Sequence, residues 1–135
     1  MPAASYDITI EQGATFHLSA RFGTLLVDQD GNAVLDDAGN RQIDVPRDFT
    51  DCTFRMQVRG HTKHGAVMFT VTSEDVDGGI SAENGTVTIE VPDELTDLVT
   101  KDGFWDLKCY NTDDTEDRLL EGTVTADLAT TTDAA

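Results

Sequence analysis

The sequence predicts an all-β fold, a two-layer antiparallel sandwich, and three observations carry that expectation. Apolar residues recur at every second position through most of the chain, the period of strands buried on one side. The alternating runs are short and are broken about every ten residues by Gly, Asn and Asp turn signals. Aromatic content is low (7%) and Thr, Asp and Gly are plentiful, a balance suited to short strands and turns rather than a helical bundle.

Taken in order, Tyr6-Asp7-Ile8-Thr9-Ile10 alternates, with Tyr6, Ile8 and Ile10 expected to face inward. Glu11-Gln12-Gly13 reads as a turn, and Phe16, Leu18, Ala20 and Phe22 form a second inward row, leaving His17 outside. From about residue 23 to 46 runs an acidic insertion. In it Leu25 and Val27, then Val34 and Leu35, flank Asp28-Gln29-Asp30-Gly31-Asn32, which reads as a β-hairpin tip. A second turn, Asp36 to Asn40, leads to Ile43-Asp44-Val45-Pro46.

Asp51 to Arg59 is the clearest strand. Cys52, Phe54, Met56 and Val58 fall on one face, and Thr53, Arg55, Gln57 and Arg59 on the other. The first face belongs to the core. The second places two of the nine Lys and Arg residues together in a very acidic chain. A solvated face offsetting nearby carboxylates is the plain account of it. A surface for an acidic neighbour is the sharper one, and it makes Arg55 and Arg59 candidate partner contacts.

Gly60 to Gly65 is a polar loop with His61, Lys63 and His64 and no patterned acidic or thiol partner, read as a mobile tip. Val67, Phe69 and Val71 make another inward row, closed by the acidic turn Ser73 to Gly79. An Asn84-Gly85 turn introduces the strand Gly85 to Val91. Pro92-Asp93-Glu94 suits a first helical turn, with Leu95 and Leu98 three apart on a short helix crossing between sheets. Alternation returns at Phe104 to Tyr110, with Trp105, Leu107 and Cys109 inward and Trp105 a core anchor. After the acidic turn Asn111 to Asp117, the last strand directs Leu120, Gly122, Val124, Ala126 and Leu128 to one side. Residues 1–128 thus form a single expected domain, immunoglobulin-like in general shape, with 129–135 a flexible or partner-docked tail.

Charge bounds the function. Asp and Glu total 26 against nine Lys and Arg, a net −17 that repels phosphates and argues against nucleic acid. Asp outnumbers Glu 19 to 7. Such self-repulsion is tolerable where salt shortens the screening length to about 3 Å at 1 M, so the composition suits a halophilic, high-salt setting. No apolar run approaches the ~20 residues of a membrane span and no leader is apparent, so a soluble, unprocessed protein without a membrane partner is expected.

Sites are few. Asp28, Asp30 and Asn32 alternate as calcium ligands do, but the glycine falls at the fourth loop position rather than the sixth and no distal Glu follows. Turn chemistry accounts for the same residues, so no metal is assigned. Cys52 and Cys109 lie 57 apart on inward faces. A bridge between them is geometrically conceivable, and two buried free thiols are the favoured alternative. No zinc spacing, nucleophile elbow or phosphate-cradling loop occurs, and acidic pairs such as Asp36-Asp37 and Asp113-Asp114 sit in turns. No catalytic residue and no cofactor is therefore expected.

The segments together carry a resemblance. Tyr6 to Phe16, Phe49 to Arg59, Gly85-Thr86-Val87-Thr88-Ile89, Trp105-Asp106-Leu107 and Arg118 to Val124 occur in the order seen in small tailed-phage virion proteins that resemble the N-terminal domain of phage baseplate upper proteins. The likeness spans most of the chain. It departs in a longer segment between Phe22 and Phe49 and in the ending Ala129 to Asp133. The resemblance implies a non-enzymatic, multicopy structural subunit of a tailed virion, assembled in the host cytoplasm and sited in the tail or baseplate. The acidic bias fits a virus of a salty environment. The hairpin around Gly31 and the tail after Leu128 are natural arms toward adjacent virion proteins. Three alternatives stay open: a head-decoration or neck protein, a carbohydrate-binding host-attachment module, which an exposed Trp105 beside Tyr110 would favour, and an intracellular sandwich of unrelated role.

Overall fold

In chain order the strands are β1 (Ala4–Ser5), β2 (Ile8–Glu11), β3 (Phe16–Arg21), β4 (Gly23–Leu25), β5 (Ile43–Pro46), β6 (Thr53–Gly60), β7 (Val67–Thr72), β8 (Gly79–Glu83), β9 (Thr86–Val91), β10 (Gly103–Tyr110) and β11 (Glu116–Asp127). One helical turn, α1 (Asp93–Thr96), separates β9 from β10. The structure is a computed structural model and describes residues 4–25, 27–32, 34–35, 37–39, 42–74 and 79–129.

The strands form an all-β sandwich. One sheet runs β1-β11-β10-β6-β7 with β2 also on β11, the other runs β3-β9-β8, and β4 and β5 pair with each other. The chain alternates between the sheets in the immunoglobulin manner, with β6, β10 and β11 extended by β7 on one side and β3, β9 and β8 on the other. One departure from the sequence reading lies in the pairing. β1 and β2 run parallel to β11, not antiparallel, with Ile8 opposite Val124 and Ile10 opposite Ala126. The chain enters along the edge of its own last strand before the Gln12-Gly13 turn carries it to the other sheet.

The inward rows meet in one core. Phe54, Met56 and Val58 from β6, Trp105, Leu107 and Cys109 from β10, and Val87, Ile89 and Val91 from β9 are all buried in it. Each such aliphatic or aromatic side chain contributes about 1.5–3 kcal/mol by leaving water. Asn84 and Gly85 take φ of 51° and 78°, the two positive angles of a type I′ hairpin turn. That turn joins β9 to β8, a strand the alternation did not reveal because only Ile80 and Ala82 mark it.

Three residues assigned inward, Tyr6, Val67 and Leu128, lie outside, as does Leu98 after the helical turn. Tyr6 is half exposed, because the chain breaks between β1 and β2 there and its carbonyl, not its ring, points at the core to accept Trp105 Nε1–H at 2.8 Å. Val67 is exposed because a bulge at Met68 sets it opposite Arg59. Leu98 is exposed because α1 stops at Thr96, so Val99 turns inward instead. Leu128 is exposed because β11 ends one residue earlier. The helical turn otherwise forms where Pro92 and the two acids placed it, and it crosses between the sheets. Buried Thr96 Oγ1 lies 2.9 Å from the Ala14 carbonyl, tying the crossing to the opposite turn.

In the insertion β4 pairs with β5, Gly23 opposite Pro46. Residues 75–78 of the expected turn Ser73 to Gly79, residues 36 and 40 of the turn Asp36 to Asn40, and the tail from residue 130 lie outside the described residues.

Candidate interaction groove

The outward positions of β6 and β10 alternate with the core rows, so strand pairing decides which of them meet. Arg55 stands directly opposite Lys108, and Lys108 opposite Arg118. Three cations therefore form one row across three strands. The next row is Gln57, Asp106 and Glu121, and beyond it Arg59 faces Phe104. Like charges directly opposite in a ladder repel, and here the carboxylates of Glu116, Asp106 and Glu121 stand beside two of the three cations. The row owes its register to a bulge: Leu119 is an extra residue in β11, which brings Arg118 rather than Leu119 opposite Lys108.

These side chains line a shallow groove of about 710 Å³ on the outer face of the larger sheet, reached also by Lys63 and His64 from the loop after β6 and by Asp7 beyond β1. Arg55, Arg59, Lys63, Lys108 and Arg118 are five of the nine Lys and Arg residues in the chain. Some are held by local carboxylates. Arg118 reaches Asp106 at 3.5 Å and Glu121 at 3.2 Å, and Lys108 reaches Glu116 at 3.5 Å. Arg55 and Arg59 are not. The Arg55 guanidinium lies over the Tyr110 ring at 5.5 Å, and Arg59 donates to the Gly65 carbonyl at 2.9 Å and to Gln57 Oε1 at 3.4 Å. Among the described residues no carboxylate lies within 4.0 Å of Arg55, Arg59 or Lys63. At the groove's edge Asp7 accepts the Thr123 amide at 2.9 Å, which holds its carboxyl below the usual range.

The sequence-level candidates thus divide. Arg55 and Arg59 come together in the groove, while Gly31 sits at the exposed hairpin tip with φ 84° and is no part of it. Lys108 and Arg118 were missed, because only strand register brings their segments beside Arg55, and Lys63 was read only as part of a loop tip. Asp28, Asp30 and Asn32 form a closed turn in which Asp28 Oδ1 accepts the amides of Asp30 at 2.9 Å and Asn32 at 3.0 Å. Among the described residues no group of three or more His, Cys, Asp or Glu side chains is placed to hold a metal.

A second opening, of about 670 Å³, lies where the sheets part beside Phe49, Phe54 and Ile80. At its wall Arg47 Nη2 meets Asp117 Oδ2 at 2.6 Å, and Asn111 Nδ2 donates to the same oxygen at 3.1 Å. The Cys52 and Cys109 thiols, both free, each approach Asn111 Oδ1 at 3.6 Å. Burial, reinforced by Cys52, pushes the Cys109 thiol up to about 12, so it stays protonated near neutrality. Trp105 is buried, so the aromatic platform that a carbohydrate module needs is not formed by it.

Searched against models of known protein families and against curated proteins, the chain matches none.

Proposed function

We propose that this chain is a non-enzymatic structural subunit of a tailed virion, a tail or baseplate component that works through protein–protein contacts. One structural observation supports the contact: five cations gather in a groove of a chain whose net charge is −17, three of them directly opposite one another in one row. Arg55 and Arg59, with no described carboxylate within 4.0 Å, match a ligand of opposite charge. An acidic protein surface has the matching charge. Tail and baseplate placement rests on the ordered resemblance of the sequence segments, and the sandwich is a scaffold suited to that role.

Arg55 and Arg59 supply the guanidinium groups, since Arg presents a planar fork that carboxylates match. Lys63 lies at the groove's edge. Virus, tail and salt-adapted setting are one reading and are tested together. Mass spectrometry of purified tailed particles from cells carrying this gene is expected to find the chain in stoichiometric amount, alongside tail-tube or baseplate proteins encoded beside it. Its absence from intact particles overturns the reading. Recovery with isolated heads instead supports a decoration or neck role.

A further inference from the structure

We propose that the groove of one copy receives the acidic hairpin, residues 23–46, of a second copy of this chain, so that copies associate head to tail. The inference rests on the reading of the groove as an assembly surface and names its occupant.

Charge is the first argument. The hairpin segment carries Asp28, Asp30, Asp36, Asp37 and Asp44 against the single cation Arg41, whereas Arg55, Arg59 and Lys63 in the groove have no carboxylate within 4.0 Å among the described residues. Uncovered apolar surface is the second. A two-stranded ribbon is marginal by itself in water, and here β4 and β5 pair with each other and with neither main sheet. Val45 on β5 is exposed by 58%, and Val27 and Leu35, in the segment that joins β4 to β5, by 54% each. Beside the groove, exposed Val67 and the Phe104 and Tyr110 rings offer apolar counterparts.

Geometry selects a second molecule. The hairpin leaves from the end of β3, where Phe22 N–H donates to the Gly85 carbonyl at 2.8 Å in the smaller sheet, and none of its described residues lines the groove on the larger sheet's outer face. The two patches differ, so contacts made one way round are heterologous and their repetition builds a ring or an open filament, the head-to-tail order proposed here, whereas a reciprocal pair of the same contacts would close a two-fold dimer.

Sedimentation velocity of the full chain over a range of concentrations tests this at about 0.15 M salt, where screening over about 8 Å weakens long-range repulsion but spares close pairs. Arg55→Glu with Arg59→Glu blocks the groove. Asp30→Lys with Asp37→Lys blocks the hairpin while leaving Asp28 to hold its turn. The wild type is expected to grow past the dimer with concentration, and each variant to associate at least about tenfold more weakly. An equimolar mixture of the two variants retains one compatible pair and is expected to give dimers and nothing larger. Circular dichroism and thermal melts confirm that the variants are folded, and Arg55→Gln with Arg59→Gln serves as the milder groove variant with the same expected loss. A closed wild-type dimer, unchanged association in folded variants, or a mixture that stays monomeric overturns the proposal. A monomeric wild type whose incorporation into particles still depends on Arg55 overturns this contact while leaving the assembly reading intact.

Discussion

Gly122 illustrates how far single residues constrain this fold. A Cβ at that position would run into the Tyr6 carbonyl oxygen, the group that accepts Trp105 Nε1–H at 2.8 Å. Gly122→Ala therefore has to displace the β1–β2 crossing and strip a buried indole of its partner, and urea unfolding is expected to show a loss of about 1–3 kcal/mol. The periodicity identified Trp105 as an anchor but not its acceptor, because a backbone carbonyl leaves no mark in the sequence. Among the described residues four carboxyls are held below the usual value of 3.8: Asp7 by the Thr123 amide, Asp48 by the Thr50 hydroxyl, Asp113 by the Thr115 hydroxyl and Asp117 by Arg47 and then Asn111. Because the folded values are the lower ones, the unfolded chain binds more protons on acidification. The support these carboxyls give is complete above the unfolded value and is lost as pH falls through the folded values. The urea midpoint is thus expected to drop steeply below about pH 4, and Asp117→Asn to flatten that drop.

At the scale of elements, what was legible depended on regularity. β6 followed from strict alternation over eight residues, and the limits of the hairpin from its Gly23 and Pro46 flanks. β8 was too short to announce itself, and the bulges at Met68 and Leu119 shifted alternation by one residue, which no residue type there signals. The groove was half visible for the same reason: Arg55 and Arg59 share one strand, whereas Lys108 and Arg118 become their neighbours only through register. Since β4 and β5 stand apart from both main sheets, replacing residues 25–43 by a short Asn-Gly turn is expected to leave a folded sandwich with a cooperative melt. Loss of that melt would show instead that the insertion supports the core.

Across the whole molecule, the −17 charge is a standing self-repulsion whose range salt controls. Lengthening the screening distance from about 3 Å at 1 M to about 30 Å at 0.01 M salt exposes it, so the melting temperature is expected to rise with sodium chloride over that span. A flat response would mean that the acidic coat imposes no load on the fold. The cationic groove is the exception within this coat, and the account turns on what it grips. The most direct measurement is the incorporation of Arg55→Glu, Arg59→Glu chains into particles in competition with the wild type, read by mass spectrometry beside thermal melts of the free proteins. The variant is expected to melt no lower than the wild type, since Arg55→Glu removes a repulsion with Lys108, and to be left out of the particle. Equal incorporation of both chains would contradict it.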